Sequence, residues 1–327
     1  MTFSTNQRIL ITGGAGFIGT HLAERLCDNH SVILFDNFRR DSLSHTRLAS
    51  HPNVTVQQGD ILDPTSLKIA LKGVDTVLHL AAVAGVSSYY KEPWRTLKVN
   101  LIGTANLLDG LADTTVQKFV YFSTSEVLGP DSLHANEEAM HRLGPVSERR
   151  WVYATSKLAG EQLVLRYGEE YGLHCTVLRP FNIYGPRQTG EGAISNFCSA
   201  AVEGRPLTVY GDGTAIRAWC YISDMVDAVM KVLSTSASSG QVFHVGNPDS
   251  IETTTGLARR IADFVPGAVI RYEQTEHADV RARAPDIKKA QNILGYEPQV
   301  DLDRGLRLTL DWFQKRGEAA RLGMAKA

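Results

Sequence analysis

The sequence predicts an α/β fold, a doubly wound parallel sheet followed by a smaller α/β domain, and three observations carry that expectation. A short apolar run at 8–12 leads straight into Gly13-Gly14-Ala15-Gly16-Phe17-Ile18-Gly19, and a helical repeat through Leu22, Leu26 and Cys27 follows. Strand-like and helix-like stretches then alternate as far as residue 179. After Pro180 the elements become shorter and richer in turns. Alternation of this kind builds a parallel sheet covered by helices on both faces.

The elements follow in order. Residues 31–35 read as a second buried strand ending in Asp36. Strand, glycine turn, helix, strand and terminal acid together form a Rossmann-type dinucleotide-binding unit. The glycines permit a tight turn and let a pyrophosphate approach the N–H groups at the helix start. Asp36 is placed to bind the adenosine ribose diol and to repel a 2′-phosphate, which selects NAD over NADP; Arg39 and Arg40 read as solvated loop residues. Residues 54–60 read as a third strand that brings Asp60 and Ile61 to the adenine. Residues 66–72 read as a helix and 76–80 as a fourth strand, with His79 a packed core residue and the small Ala81 and Ala82 at its end. A long helix over 94–111 contains Asn100. Residues 119–123 form a fifth strand that delivers Thr124, Ser125 and Glu126 to the sheet edge where ligands gather. Residues 176–179 form a sixth. The expected division is a dinucleotide-binding domain over 1–179, rejoined by 223–249, and a substrate domain over 180–222 and 250–327. Residues 316–327 read as a fraying helical tail.

With 327 residues, the chain can bury one large core or two modest ones. A formal net charge of −1, with acids and bases interspersed, offers no surface for nucleic acid or for an anionic membrane. No apolar run approaches the roughly 20 residues of a membrane span, and the first seven residues lack a signal peptide's apolar region. The four cysteines, Cys27, Cys175, Cys198 and Cys220, are widely spaced. They suit buried thiols in a reducing compartment, and the expected location is cytoplasmic. No metal site is expected.

Tyr153 and Lys157 open the helix after the fifth strand. Four residues apart, they project from one helix face. A tyrosine titrates near ~10, and a nearby cation lowers that value towards the range of a useful base.

Taken together, these residues resemble the extended short-chain dehydrogenase/reductase family that modifies nucleotide sugars. The resemblance rests on the 12–19 turn, Asp60-Ile61, His79-Leu80-Ala81-Ala82, Asn100, Thr124-Ser125-Glu126, Tyr153 with Lys157, and Arg179-Pro180-Phe181-Asn182. Asp212-Gly213 with Arg217, then Tyr221 and Asp224, extend it over nearly the whole chain. It implies that Tyr153 takes the proton of a sugar 4-hydroxyl while C4 gives a hydride to NAD. Thr124 would hydrogen-bond the 4-oxygen. Lys157 would hold the nicotinamide ribose and help depress the tyrosine's pKa. Cofactor contacts are implied for Gly13, Gly16, Phe17, Ile18, Gly19, Asp36 and Asn37, and for Asp60, Ile61, Leu80, Ala81, Ala82, Asn100 and Pro180. Substrate contacts are implied for Thr124, Asn182, Asn196, Leu207, Tyr210, Arg217 and Arg283. A homodimer through helices 94–111 and 153–167 is a family-level expectation.

The fate of the 4-keto sugar turns on Ser125 and Glu126. A Ser-Glu pair is found in UDP-glucuronate decarboxylases and in some 4,6-dehydratases, whereas enzymes that only invert C4 usually carry small or hydroxyl residues there. Ser195-Asn196-Phe197, the 206–213 stretch, Gly246-Asn247-Pro248, Tyr89-Tyr90-Lys91 and Arg283-Ala284-Pro285-Asp286-Ile287 look like UDP-xylose synthase sequence. The Arg-Trp-x-Tyr of 150–153 is similar to the decarboxylase of the 4-amino-arabinose pathway. Leu128, the 188–192 stretch, Ala284 and 218–220 depart from the pattern. The best expectation is a UDP-glucuronate decarboxylase. A UDP-sugar 4-epimerase and a 4,6-dehydratase stand as alternatives, and a non-catalytic NAD-binding regulator is the reading from another class.

Overall fold

The computed structural model describes residues 6–188, 190–274 and 280–321. Seven strands form its main sheet: β1 (Arg8–Thr12), β2 (Ser31–Asp36), β3 (Val54–Gln58), β4 (Thr76–His79), β5 (Lys118–Phe122), β6 (His174–Pro180) and β7 (Gln241–Val245). All pairings are parallel, in the spatial order β3-β2-β1-β4-β5-β6-β7. The chain moves outward from β1 to β3, then returns to β4 on the other side of β1. That reversal opens a crevice at the carboxyl ends of the strands.

Strand alternation explains the two cores. Successive side chains point to opposite faces, so Ile9 and Ile11 join Leu22, Leu26, Met225 and Val229 on one side. Leu10 joins Leu67, Leu107 and Val164 on the other. Burial on both faces is why these strands read as unbroken apolar runs. His79 is fully buried between Thr12 (2.6 Å) and Thr104 (3.0 Å), and burial, followed by Lys157, pushes its pKa down to about 3. It is a core residue, as expected. All four cysteines are buried free thiols. No described helix is long and apolar enough to cross a membrane.

The long helix expected over 94–111 is a continuous run made of Pro93–Leu97, a π-helical turn at Lys98–Ile102, and Gly103–Asp109. Such turns recur at functional sites, and this one carries Asn100. The run packs against helix Val152–Tyr171. The last helix is Leu302–Arg321; residues 322–327, the end of the expected tail, lie outside the described residues, as does Thr189.

A second sheet has the order Ile251–Thr253, Ile216–Ala218, Ala282–Pro285, Asp131–Ala135. Its last strand comes from a stretch that the sequence reading gave to the first domain. The sequence Asp131-Ser132-Leu133-His134-Ala135 has little apolar alternation to announce a strand. The pairing sets Arg283 in register with Arg217 on one side and Ser132 on the other.

Helix Val152–Tyr171 is fastened to the main sheet by a buried ion pair. Glu161 and Arg179 are each 3 % exposed. Arg179 donates from Nε to Oε1 (2.8 Å) and from Nη2 to Oε2 (2.7 Å), and the Ser123 hydroxyl donates to Oε1 (2.5 Å). Gly160 beside it allows the close approach, since a Cβ there would lie 2.0 Å from the Tyr121 hydroxyl oxygen. Breaking a buried pair from one side leaves an uncompensated charge. Glu161→Ala should therefore cost about 3–5 kcal/mol, read as a lower urea midpoint; a loss below about 1 kcal/mol, typical of an exposed pair, would show that the pair does not hold the helix.

Candidate active site

A cleft of about 420 Å³ opens at the carboxyl ends of the main-sheet strands. At one end is the glycine turn. Gly13 has φ +72°, and a Cβ there would come within 2.8 Å of the Ala81 nitrogen. The turn and the Ala81-Ala82 strand end therefore fit together only because both are small. Gly16, Phe17, Ile18 and Gly19 continue this wall, and Asp60, Ile61, Leu80 and Pro180 complete it. Asp36 and Asn37 line the cleft at the end of β2. The Asp36 carboxylate accepts from the N–H groups of Ala15 (3.0 Å) and Phe38 (2.8 Å). Burial still moves its pKa upward, with those N–H groups opposing. An open glycine turn facing an oriented carboxylate fits a dinucleotide.

Two expectations for this region change. Arg39 and Arg40 are not free in solvent: Arg39 forks onto Glu92 (3.0 and 3.3 Å), and Arg40 donates to the Ala84 carbonyl (2.8 Å) and to Glu191 (3.4 Å). Asn100 is 1 % exposed and stands behind the wall. It accepts from the Val83 N–H (2.7 Å) and donates to the Val83 carbonyl (3.1 Å) and the Ser156 hydroxyl (3.0 Å), joining the end of β4 to the tyrosine–lysine helix.

At the other end of the cleft are Thr124, Ser125, Glu126, Tyr153 and Lys157. The 3₁₀ turn Ser125–Leu128 begins at Thr124, whose hydroxyl oxygen accepts from the Glu126 N–H (3.3 Å). Lys157 Nζ donates to the Phe122 carbonyl (2.6 Å) and lies 4.7 Å from the Tyr121 ring centroid. Burial lowers its pKa to about 7, with Glu161 one turn further along the helix opposing. Tyr153 differs from the expectation. Burial and the Glu126 charge raise its pKa above the ordinary tyrosine value, against a hydrogen bond with Thr124 and the charges of Arg40 and Arg283. In the field of this chain alone the phenol is neutral, because Lys157 is directed to a carbonyl and the phenol itself is desolvated.

Glu126 is the electrostatic centre of the site. Burial would raise its pKa, but Arg150, Arg283 and Arg217 outweigh this and hold the carboxyl below its usual value. Arg150, 4 % exposed, grips it from two nitrogens (2.5 and 3.1 Å). Arg283 Nη1 lies 3.7 Å from Oε1. Arg283 is itself 2 % exposed, and its Nε and Nη2 have no hydrogen-bond partner. Burial lowers its pKa to about 10, so it stays a cation at neutral pH.

Of the other substrate residues expected from sequence, Asn182 and Arg283 line the cleft. Asn182 adopts φ +42°, which asparagine tolerates, and donates to the Ala218 carbonyl (2.7 Å). Arg217 acts on Glu126 from the neighbouring strand without lining the cleft. Asn196 is exposed on helix Ala193–Val202, Leu207 is fully buried, and Tyr210 is 62 % exposed. The structure brings none of these three to the cleft. Leu207 points into the core from its strand, and Tyr210, three positions on, points the opposite way. Arg150 is a site residue that the sequence reading did not assign; it was visible only inside a stretch singled out for resemblance.

A family model for the NAD dependent epimerase/dehydratase family matches residues 9–246. The chain belongs to that family. It is 36 % identical over 321 residues to UDP-glucuronic acid decarboxylase 6 of Arabidopsis thaliana, covering 96 % of this chain and 91 % of that protein. Among solved structures it is similar to an epimerase of Methanothermobacter thermautotrophicus, with TM-score 0.89, 28 % identity, and coverage of 97 % and 95 %. It is also similar to UDP-glucuronic acid 4-epimerase of Bacillus cereus in complex with UDP-glucuronic acid and NAD, with TM-score 0.85, 28 % identity, and coverage of 94 % and 99 %. The family's fold and the enzyme class agree with the expectations drawn from sequence.

The clamp on Glu126 generates a prediction about pH. A carboxylate whose pKa is depressed keeps its charge until pH falls through that lowered value. Replacing Arg150 by Met removes the strongest opposing charge, so the carboxyl protonates at higher pH. The acid limb of a kcat–pH profile should move upward in Arg150→Met; an unmoved limb would mean that Glu126 ionisation does not govern turnover.

Proposed function

We propose that this chain is an NAD-dependent decarboxylase of a nucleotide-linked uronic acid, with UDP-glucuronate the best-fitting substrate. The observation that carries this reading is Arg283, a buried cation on the cleft wall with two donors lacking a partner. Buried polar groups without partners are costly, and a guanidinium fork suits a carboxylate. Kinship with relatives named UDP-glucuronic acid decarboxylases supports the same substrate. The engagement of Arg39 and Arg40 with glutamates, and the carboxylate of Asp36, support NAD over NADP.

When bound, NAD accepts a hydride from C4 of the sugar and later returns it. Tyr153 takes the O4 proton, helped by the positive charge of the oxidised cofactor, and Thr124 hydrogen-bonds O4. The resulting ketone makes the substrate a β-keto acid. The C5–C6 bond breaks, CO2 leaves, and the electron pair remains on C5, delocalised into the C4 carbonyl. A water ordered by Glu126 supplies the C5 proton and is itself reprotonated from solvent, and Tyr153 gives its proton back to O4. This sequence asks of Glu126 only that it remain an ordered anion. A 4,6-dehydratase would need it to abstract the C5 proton, a poor task for a carboxylate held below its usual pKa, and Ser125 is no ready acid.

The likeness to UDP-glucuronic acid 4-epimerase favours a second reading, in which the 4-keto sugar turns over and keeps its carboxylate. Incubation with UDP-glucuronate, followed by NMR, separates the two. The expected result is CO2 release and a UDP-pentose; a retained carboxylate with inverted C4 would replace decarboxylation by epimerisation. Tyr153→Phe should abolish either reaction.

Further proposals complete the reading. Residues 180–222 and 250–327, with the 131–135 strand, hold the sugar and its nucleotide. The exposed Trp94, Ile102 and Tyr171 on the two packed helices support pairing with a second copy. Buried free cysteines support a reducing, cytoplasmic location.

A further inference from the structure

Lys157 has to keep a charge where charge is disfavoured. It is 2 % exposed, and its Nζ donates to the Phe122 carbonyl (2.6 Å). Burial brings its pKa down to about 7, so near neutrality the proton is close to leaving. The groups around it do little to hold that proton. On its own helix Glu161 favours the cation, but Glu161 is committed to Arg179 and Ser123. Tyr153, one turn back, is held above the ordinary tyrosine value by burial. On β4, His79 sits between two threonines and is pushed down to about 3, so it is uncharged at neutral pH. On β5, burial likewise raises the Tyr121 phenol above its ordinary value.

The Tyr121 ring is the remaining neighbour. Nζ lies 4.7 Å from its centroid, inside the range of about 6 Å over which an aromatic face attracts a cation, and that attraction is largest where water is excluded. The ring itself is fixed. Its hydroxyl end abuts Gly160, where a Cβ would lie 2.0 Å from the oxygen, and its flank meets the His79 ring with centroids 5.7 Å apart. The Phe122 carbonyl does not discriminate between charge states, because a neutral amine also has N–H groups to donate. An aromatic face does discriminate, because its negative quadrupole favours the charged form.

We infer that Tyr121 is a positioning residue, whose ring face keeps Lys157 a cation at the place from which it acts on Tyr153. This rests on the reading of Tyr153 and Lys157 above and deepens it. The sign follows directly. A neighbour that favours an ammonium raises its pKa, so removing the ring lets the proton leave at lower pH.

The test is a set of kcat–pH profiles for the NAD-loaded enzyme on UDP-glucuronate, counted as substrate consumed whichever product forms. UDP-glucose is used if UDP-glucuronate is refused, since oxidation at C4 comes first for either sugar. Tyr121→Phe keeps the ring and should keep the wild-type alkaline limb. Tyr121→Leu should bring that limb down by about one pH unit. Leucine also alters packing, so a second series keeps the shape: Tyr121→Phe carrying one and then three ring fluorines, which drain the negative face. The limb should fall stepwise with fluorination while the melting temperature stays level. A limb unmoved across the fluorinated series would overturn the inference, and so would a shift in Tyr121→Phe equal to that in Tyr121→Leu. Lys157→Met separates the two levels. If that variant keeps the wild-type profile, the reading of Lys157 fails. If it is inactive and the fluorinated series shows no shift, only the role of Tyr121 fails.

Discussion

The site depends on how closely one helix approaches the sheet. Gly160 lets helix Val152–Tyr171 settle against Tyr121, and the Glu161–Arg179–Ser123 network locks it there. Tyr153, Lys157 and Glu161 are spaced by four, so they lie along one face of that helix. Fixing Glu161 to β6 therefore places Lys157 over the end of β5 and Tyr153 beyond it, at the cleft. Asn100 reaches the same helix through Ser156 from the π-helical turn on the neighbouring run. A buried ion pair is an uncertain source of stability, since well-packed apolar groups often do as well. Its evident use here is register: a helix displaced by one residue would turn both Tyr153 and Lys157 away from the crevice.

The second organising feature is an excess of positive charge. Three arginines, Arg150, Arg217 and Arg283, act on one carboxylate, Glu126. A lone buried carboxylate would be neutralised by desolvation; here the cations reverse that tendency. Once Glu126 is paired with Arg150, the charge of Arg283 is only partly answered, at 3.7 Å. The sheet register sets Arg283 beside Arg217, and the Arg217 charge adds to burial in disfavouring the charged form of Arg283. On the uronate reading proposed above, a substrate carboxylate would answer that charge.

What could be read from the sequence follows from this geometry. The glycine turn, Asp36 and the Tyr153–Lys157 pair are local: each rests on residues close in the chain, or on a separation fixed by one βαβ unit. The burial of β1, β2 and β4 was equally plain, because both faces of a parallel strand are covered. The Glu126–Arg150 clamp spans 24 residues across a loop, and no spacing rule links its partners. The Ser132–Arg283–Arg217 row joins strands from three distant parts of the chain, and the polar 131–135 stretch gave no sign that it would form the edge strand of that sheet. Asn100 could be named but not placed, since its pattern does not distinguish contact with a ligand from support of the wall behind it.

On the uronate reading, the charge of the pocket changes during the reaction. The substrate carboxylate answers Arg283, and that interaction is strongest when both partners are desolvated. Loss of CO2 removes that anion and leaves the same buried donors facing a neutral pentose. The product therefore gives up the interactions that selected the substrate, and its hold on the protein falls to the nucleotide and the remaining hydroxyls. Arg283 also counts among the charges that favour Tyr153 as an anion. Neutralising it with a carboxylate weakens that help during oxidation, and release of CO2 restores it. Oxidation at C4 and chemistry at C5 are in this way coupled through one arginine.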